Sequence, residues 1–224
     1  FEASVCGGVP IIRSLKEGLI ANKISKIYGI FNGTSNYILS SMDKENKSLK
    51  EVLSNAKILG YAESNPSADL NGDDVSSKLK ILSSLCFNSF LNNNIYVEGI
   101  NDIDKNDIDN ANKLGYKIKL LGFAELLENK IYQRVHPTLI KKETYVASID
   151  GVLNAVIVDG KPVGQSIIQG EGAGPAATTS ALISDISSIL RGNIKFPFSL
   201  SSKERKKLKF DNIDNRFFSA YLRF

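Results

Sequence analysis

The spacing of apolar residues changes near the middle of the chain, and this change most constrains the fold. Before Phe87 apolar residues recur mainly every three or four positions, whereas from Tyr116 onward they follow strand patterns. A helical first half followed by strands favours an α+β domain.

Four helices are predicted in the first half, each with its own start or stop signal. They cover Val9 to Ile20, Tyr37 to Met42, a stretch that begins after Ser48 and ends at Gly60, and Asn71 to Phe87. The third begins with a capping box, since Glu51 follows Ser48 by three residues. In the fourth, Asp73 and Asp74 favour the N-terminal end of the helix dipole.

Strands and one further helix complete the pattern. The strands are predicted at Lys26 to Phe31, Lys117 to Leu127, Lys130 to Val135, Leu153 to Val158 and Gln165 to Gln169. A helix of small residues, Ala176 to about Leu190, follows the glycine-rich Gly170-Glu171-Gly172-Ala173-Gly174-Pro175. These glycines could bring N–H groups to an anion, but their spacing is not the Gly-x-Gly-x-x-Gly fingerprint of a dinucleotide-binding fold.

The formal net charge of +4 comes largely from a cluster near the end, formed by Lys203, Arg205, Lys206, Lys207 and Lys209 beside Glu204. No interleaved aromatic residues or recognition helix accompany it, so we interpret it as solvated surface and expect neither nucleic acid nor membrane as a partner.

No apolar run approaches the roughly 20 residues of a spanning helix. Cys6 and Cys86 give no disulfide framework or metal-ligand spacing, so we expect core thiols in a cytoplasmic protein.

The segment from residue 60 to 80 concentrates the chemistry. It places Glu63, Asp69, Asp73 and Asp74 in a loop and the following helical turn, with Lys78 one turn further on. At a spacing of four, Asp74 and Lys78 share one helix face and lie about 5–6 Å apart at Cβ. Carboxylates can bind the α-ammonium of an amino acid while a lysine binds or protonates one of its oxygens. The segment therefore suits a small amino-acid ligand.

Plainer interpretations stay open on the residues alone. The same segment could be an exposed, capped helix start, whose Asp–Lys pair contributes only about 0.3–0.5 kcal/mol. His136, the one histidine, has no serine or cysteine partner at a recognisable spacing. We interpret it as a structural group rather than a base.

Several stretches, in order along the chain, resemble homoserine dehydrogenase. They are Phe1-Glu2-Ala3-Ser4-Val5-Cys6-Gly7-Gly8-Val9-Pro10-Ile11-Ile12, Gly29-Ile30-Phe31-Asn32-Gly33-Thr34-Ser35-Asn36-Tyr37-Ile38, residues 60–78, Arg134-Val135-His136-Pro137-Thr138, and Gly170 to Gly174. The resemblance implies reduction of aspartate 4-semialdehyde to homoserine with NADPH or NADH, a step towards threonine, methionine and isoleucine. It also implies a mixed sheet that is covered by helices on one face and pairs with a second subunit on the other, as a homodimer.

The resemblance implies roles for particular residues. Lys78 resembles the proton donor, and Glu63, Asp69 and Asp74 resemble the groups that hold the substrate, with Tyr61 lining the same pocket. Positions near the nicotinamide of the cofactor are matched by Gly60, Gly33, Thr34 and Gly172, where small residues permit close backbone approach, and Glu63 would also lie near the cofactor. The opening segment resembles a monovalent-cation site, usually sodium, made by the Glu2 carboxylate and the carbonyl groups of Val5, Gly7 and Val9; oxygen ligands suit a hard cation.

We expect the chain to be a piece of a longer enzyme, inactive alone. It begins at Phe1 rather than Met, no glycine-rich strand-turn-helix precedes that residue, and it ends in a strand-like run. Residues 1–175 are expected to form the substrate-binding and dimerisation domain, 176–192 a helix that returns to an absent Rossmann nucleotide-binding domain, 193–214 a basic linker, and 215–224 the start of a regulatory ACT domain.

The alternative to an enzyme is a non-catalytic module for amino-acid binding or dimerisation. The presence of Glu63, Asp69, Asp74 and Lys78 argues against a pure scaffold. The choice between NADP and NAD is left open, because the selecting residue would lie in the nucleotide-binding domain. Feedback by threonine and fusion to a kinase are left open as well.

Overall fold

One mixed β-sheet organises the residues that the structure, a computed structural model, describes: 1–90, 95–193, 197–201, 203–212 and 219–222. Its strands are β1 (Lys23–Ile30), β2 (Tyr96–Val97), β3 (Tyr116–Leu127), β4 (Lys130–Lys141), β5 (Leu153–Lys161), β6 (Gly164–Glu171) and β7 (Lys209–Phe210). They lie in the order β2-β4-β3-β1-β5-β6, and β7 also pairs with β4. The long strands pair antiparallel, whereas β2 and β7 run parallel to β4.

The helices are α1 (Ile11–Arg13, continued as a π-helical turn over Ser14–Gly18), α2 (Gly33–Glu45), α3 (Leu49–Ile58), α4 (Ser67–Asn71), α5 (Asp73–Phe87), α6 (Lys105–Lys113) and α7 (Pro175–Leu190). The capping box of Ser48 and Glu51 is confirmed at the start of α3. A second box, Asp104 with Asp107, begins α6. The sequence did not predict α6, because few of its residues are apolar and only Ile108 and Ala111 give it a buried stripe.

The helices pack mainly on one face of the sheet. On that face Ile27, Leu120 and Val156 of the sheet join Leu79 and Leu82 of α5 in the principal core. On the opposite face Ile30, Leu121, Ala155 and Ile157 pack under a short 3₁₀ turn, Tyr145–Ser148, and Ile149. The predicted α+β fold, with helices on one face of a mixed sheet, is confirmed.

Of the predicted element boundaries that differ from the structure, two have clear local causes. Gly72 adopts a left-handed conformation (φ 86°) and separates α4 from α5, so the helix predicted from Asn71 begins at Asp73 instead. Strand β4 continues past Val135 to Lys141 although it contains Pro137. Proline is tolerated there because β2 pairs only with Arg134 and Val135 of β4, which leaves that edge unpaired near Pro137 among the described residues.

Part of the predicted basic linker packs against the domain. The amide of Lys206 donates to the Asn88 carbonyl at 2.9 Å, and the Ser89 hydroxyl donates to the Lys206 carbonyl at 2.8 Å. The Arg205 guanidinium lies 4.6 Å from the ring centroid of Phe198. The predicted first ACT strand, 215–224, lies mostly outside the described residues.

Helix α7 follows the glycine-rich turn, as predicted, and leaves an apolar surface open. Its large exposed side chains are Leu182, Ile183, Ile186, Ile189 and Leu190, whereas Ala181 is buried. Among the described residues, every helix is too short or too polar to cross a membrane.

Candidate active site

The candidate site lies where β1 ends and α2 begins. Asn32 connects the two elements and caps α2, because its side-chain oxygen accepts a hydrogen bond from the amide of Ser35 at 2.8 Å. The side chain of Asn32 is buried, with 5% of the residue exposed. Since the cap uses the amide oxygen, the amide nitrogen must point the other way, towards α4 and α5.

That nitrogen joins two carboxylates. It donates to Asp69 Oδ1 at 2.7 Å and to Asp74 Oδ2 at 2.8 Å. Asp74 Oδ2 also accepts from Lys78 Nζ at 2.7 Å, and Lys78 donates in addition to the Phe31 carbonyl at 3.0 Å. We call Asn32, Asp69, Asp74 and Lys78 the Asn32 cluster. The predicted meeting of Asp74 with Lys78 across one helical turn is confirmed.

The Asn32 cluster keeps bonding capacity for a ligand. An ammonium carries three donors, and described residues accept from two of those on Lys78, so the third N–H has no partner among them. Within the described part of the chain, no donor reaches Asp69 Oδ2 or Asp74 Oδ1. The side chains of Lys78 and Asp74 are 19% and 30% exposed, so a ligand can reach them while most of the pair is shielded from water. The cluster can thus accept an ammonium and donate to an oxygen at the same time.

Tyr61 and Thr34 lie beside each other at one side of the site. The Thr34 hydroxyl donates to the Tyr61 carbonyl at 2.8 Å, which ties the start of α2 to the loop after α3. The Tyr61 ring packs on Tyr37 at a centroid distance of 4.9 Å. Glu63 lies two residues further along the same loop, is exposed, and makes no hydrogen bond or ion pair with any described residue. The structure therefore shows no hydrogen bond or ion pair between Glu63 and the cluster.

The three glycines predicted near the cofactor differ in their surroundings. Gly60 has a left-handed φ of 75° and open space where a Cβ would lie. A Cβ on Gly33 would lie 2.8 Å from the Val152 carbonyl oxygen, and one on Gly172 would lie 2.2 Å from Asn154 Cγ. Internal packing thus explains Gly33 and Gly172, whereas only Gly60 leaves room for an approaching group.

Cys6 packs behind the site, next to Asn154. Burial raises the pKa of the Cys6 thiol to about 11, although Asn154 and the nearby positive charge of Lys78 oppose part of that effect. The thiol therefore stays protonated and acts as a small core side chain, as expected for both free cysteines.

The opening segment places Glu2 against the start of α1. The Glu2 carboxylate is buried and accepts hydrogen bonds from the amides of Ile12 and Arg13, both at 2.8 Å. Burial raises the pKa of this carboxyl, while those two amides oppose the shift. Of the carbonyl groups assigned to the cation, that of Val9 accepts from the Ile11 amide at 2.7 Å. Those of Val5 and Gly7 accept no hydrogen bond from a described residue.

A buried lysine, which the sequence analysis missed, fastens α2 to the loop before β5. Lys119 is 1% exposed, and its Nζ donates to the Ile149 carbonyl at 2.6 Å, to Asp150 at 2.8 Å and to Asn36 at 3.0 Å. Asn36 in turn donates to the carbonyl of Gly151 at 3.0 Å. A lysine inside the apolar run of β3 was the available signal, since a buried charge requires partners.

His136 contacts no residue of the Asn32 cluster. Its Nδ1 lies 2.6 Å from the Pro137 carbonyl and 3.2 Å from the Thr138 hydroxyl. Burial lowers the pKa of this imidazole. These local contacts agree with the interpretation of His136 as a structural group.

The family model described as homoserine dehydrogenase matches residues 10–187. Among curated proteins, the chain is 47% identical over 210 residues to a homoserine dehydrogenase of Helicobacter pylori, covering 93% of this chain and 50% of that protein. It is also 47% identical over 192 residues to one of Neisseria gonorrhoeae, covering 85% of this chain and 44% of that protein. The chain spans about half the length of these relatives.

Solved structures of homoserine dehydrogenases are also similar to this chain. A homoserine dehydrogenase from Thiobacillus denitrificans superimposes with a TM-score of 0.88 at 41% identity, over 94% of this chain and 50% of that one. A hyperthermophilic archaeal homoserine dehydrogenase mutant in complex with NADPH superimposes with a TM-score of 0.71 at 28% identity, over 86% of this chain and 55% of that one.

Proposed function

The chain belongs to the homoserine dehydrogenase family, and on that premise we propose that it forms the substrate-binding half of an enzyme that interconverts aspartate 4-semialdehyde and homoserine. The observation that carries the proposal is the Asn32 cluster, which offers, within a single network, two carboxylate oxygens and one ammonium N–H that no described residue occupies. An amino acid with an oxygen on its terminal carbon presents the complementary groups. The product would feed threonine, methionine and isoleucine synthesis.

In the proposed reaction each group of the cluster has one task. Asp69 and Asp74 accept hydrogen bonds from the α-ammonium of the substrate through their free oxygens. Lys78 directs its free N–H at the carbonyl oxygen of the aldehyde and supplies a proton as the alkoxide develops. Because Asp74 and the Phe31 carbonyl hold the other two N–H groups, the direction of that third donor is set before the substrate binds.

The residues fit the nicotinamide end of a cofactor at one place. Gly60 is open where a Cβ would lie, and the Thr34 hydroxyl holds the adjoining Tyr61 backbone. We propose that Gly60, Thr34, Gly33 and Glu63 line the edge where the nicotinamide lies, with Gly172 supporting that edge through Asn154. When bound, NADPH or NADH supplies the hydride. The phosphate-binding groups would come from the part of the relatives that this chain does not match.

We also propose a sodium site in the opening segment. The donor set consists of the Glu2 carboxylate and the carbonyl groups of Val5, Gly7 and Val9, all oxygens, which suit a hard cation. The carbonyl groups of Val5 and Gly7 accept no hydrogen bond from a described residue, and the buried Glu2 carboxylate supplies negative charge. Melting temperatures in sodium chloride and choline chloride test the site. A sodium-specific rise that Glu2→Gln abolishes is expected, and equal melting in both salts would contradict it.

Two surfaces support the proposed assembly. The exposed apolar side chains of α7 suit docking of a nucleotide-binding domain, because a patch of this kind is commonly covered in the complete molecule. On the sheet face opposite the main helices, the Arg134 guanidinium lies 5.2 Å from the Phe123 ring centroid and 5.5 Å from the Tyr132 ring centroid. We propose that this face pairs with a second subunit. The buried free thiols fit the reducing cytoplasm.

An assay in a completed protein tests the function. The completed protein is this chain with the parts of the Helicobacter pylori relative that it does not match restored around it. NADP- and NAD-dependent oxidation of homoserine should be measurable, and Lys78→Ala should lower turnover by about a hundredfold or more. Tight homoserine binding without turnover would support the amino-acid-binding module instead, and near-normal turnover of Lys78→Ala would remove Lys78 from the proposed role. A matched control is Lys80→Ala, two residues further along α5.

A further inference from the structure

Asn32 makes more contacts than a helix cap requires. A cap needs one side-chain oxygen for a free backbone N–H, and the bond from the Ser35 amide provides it. Serine or aspartate would cap α2 about equally well. The amide group adds a second function, since its nitrogen carries two N–H groups and each reaches a different carboxylate.

The two carboxylates come from different elements. Asp69 belongs to α4 and Asp74 to α5, and the left-handed residue Gly72 separates them. Two adjacent carboxylates repel each other, and each could rotate away about its side-chain bonds. A neutral donor between them opposes both movements, because hydrogen bonds to charged acceptors are stronger than those to neutral ones.

The contacts of Asn32 also determine which atoms stay free. By occupying Asp69 Oδ1 and Asp74 Oδ2, the Asn32 amide leaves Asp69 Oδ2 and Asp74 Oδ1 for another donor. Lys78 shares Asp74 Oδ2 with Asn32, so the position of the ammonium depends on the same carboxylate orientation. One buried amide therefore controls three groups of the site.

We propose that Asn32 is a positioning residue, which holds Asp69, Asp74 and, through Asp74, Lys78 so that their free atoms face one amino-acid substrate. The kinetic consequence of this inference rests on the proposed function, whereas the contacts of Asn32 are independent of that function. The cap fixes the orientation of the amide, and the amide fixes the carboxylates.

Two variants in the completed protein separate positioning from capping. Asn32→Ser keeps the cap but is too short to bridge the carboxylates. It should lower kcat/KM for homoserine by about tenfold, the effect of losing a hydrogen bond to a charged group, with a rise in KM and a fall in kcat. Asn32→Asp keeps the cap and the size but places a third carboxylate in the cluster, and should lower kcat/KM by about a hundredfold or more.

The matched control is Ser48→Ala, which removes the cap of α3 and touches no member of the Asn32 cluster. It should lower thermal stability more than Asn32→Ser does, while kcat/KM stays within about twofold of the unchanged protein. The inference would be overturned if Asn32→Ser folds and both its kcat and its KM stay within twofold of the values of the unchanged protein.

An inactive completed protein would count against the proposed function alone. In that case a double-mutant cycle on stability still tests whether Asn32 interacts with Asp74. The urea midpoint is measured for Asn32→Ser in the unchanged protein and in the Asp74→Asn background. The midpoint should fall less in the Asp74→Asn background, because the partner charge has already gone. Equal falls in both backgrounds would overturn the positioning role.

Discussion

A single methyl group added at Gly172 tests why that position is glycine. The backbone of Gly172 does not need a left-handed conformation, so an alanine there meets only a packing problem. Its Cβ would lie 2.2 Å from Asn154 Cγ and 2.3 Å from both amide atoms, whereas non-bonded carbon atoms prefer about 3.5–4.0 Å. Because Asn154 is fully buried, it has no free space to move into. Gly172→Ala should destabilise the protein by about 1–3 kcal/mol, the usual cost of overpacking.

The double variant gives the sharper result. Asn154→Ala removes the atoms that the new methyl group would strike, so the loss in Gly172→Ala/Asn154→Ala should be smaller than the sum of the two single losses, by about 1 kcal/mol or more. Urea unfolding of the completed protein measures this, with Gly18→Ala as a control because its Cβ would meet nothing within 4 Å. Additive losses would refute the packing explanation. A Gly172→Ala variant of unchanged stability with a sharply raised KM for the nicotinamide cofactor would instead favour direct cofactor contact at Gly172.

Three further predictions concern stability and the edge of the site. Partial burial raises the pKa of Asp150, but the surrounding lysines, chiefly Lys119, outweigh burial and lower the pKa from 3.8 to about 2. Its stabilising contribution, about 2 kcal/mol, should therefore be complete above about pH 5 and be lost progressively as the pH falls towards about 1. Urea titrations from about pH 5 to about pH 2 should show that Asp150→Asn flattens this loss, and identical slopes would contradict it. Lys119→Met should cost about 2–6 kcal/mol by urea unfolding, because it leaves the buried acceptors of Asn36 and Ile149 without their donor at about 1–3 kcal/mol each. A loss under about 1 kcal/mol would show that the network contributes little. Thr34→Val removes the bond to the Tyr61 carbonyl and should raise the KM for the cofactor several-fold, by roughly the 0.5–1.5 kcal/mol of one hydrogen bond, whereas an unchanged KM would separate that contact from cofactor binding.

Local rules were sufficient for the parts of the fold and site that lie close together in sequence. The capping box of Ser48 and Glu51 follows from a spacing of three, and the pairing of Asp74 with Lys78 follows from a spacing of four. Helical geometry alone dictates both contacts. The alternation of apolar residues likewise placed the long strands, although their ends moved by up to six residues at β4.

Contacts between distant residues could not be read in the same way. Asn32 lies 37 positions before Asp69, and only the packing of α2 beside α4 brings them together. Asn154 and Gly172 face each other because β5 and β6 pair, so the reason for the glycine is visible only in the structure. Lys119 stands in an apolar strand, where its charge signals a buried network without indicating the partners. Glu63 carries the same charge as Asp69 and Asp74, yet it makes no hydrogen bond or ion pair with any described residue.

The central claim is that the Asn32 cluster holds a small amino acid with its terminal oxygen at Lys78. The most direct measurement is a crystal structure of the completed protein with homoserine bound. The account predicts the α-ammonium about 2.7–3.2 Å from the free oxygens of Asp69 and Asp74, and the hydroxyl oxygen at a similar distance from Lys78 Nζ. Homoserine bound away from these carboxylates, or with its hydroxyl out of reach of Lys78, would contradict it.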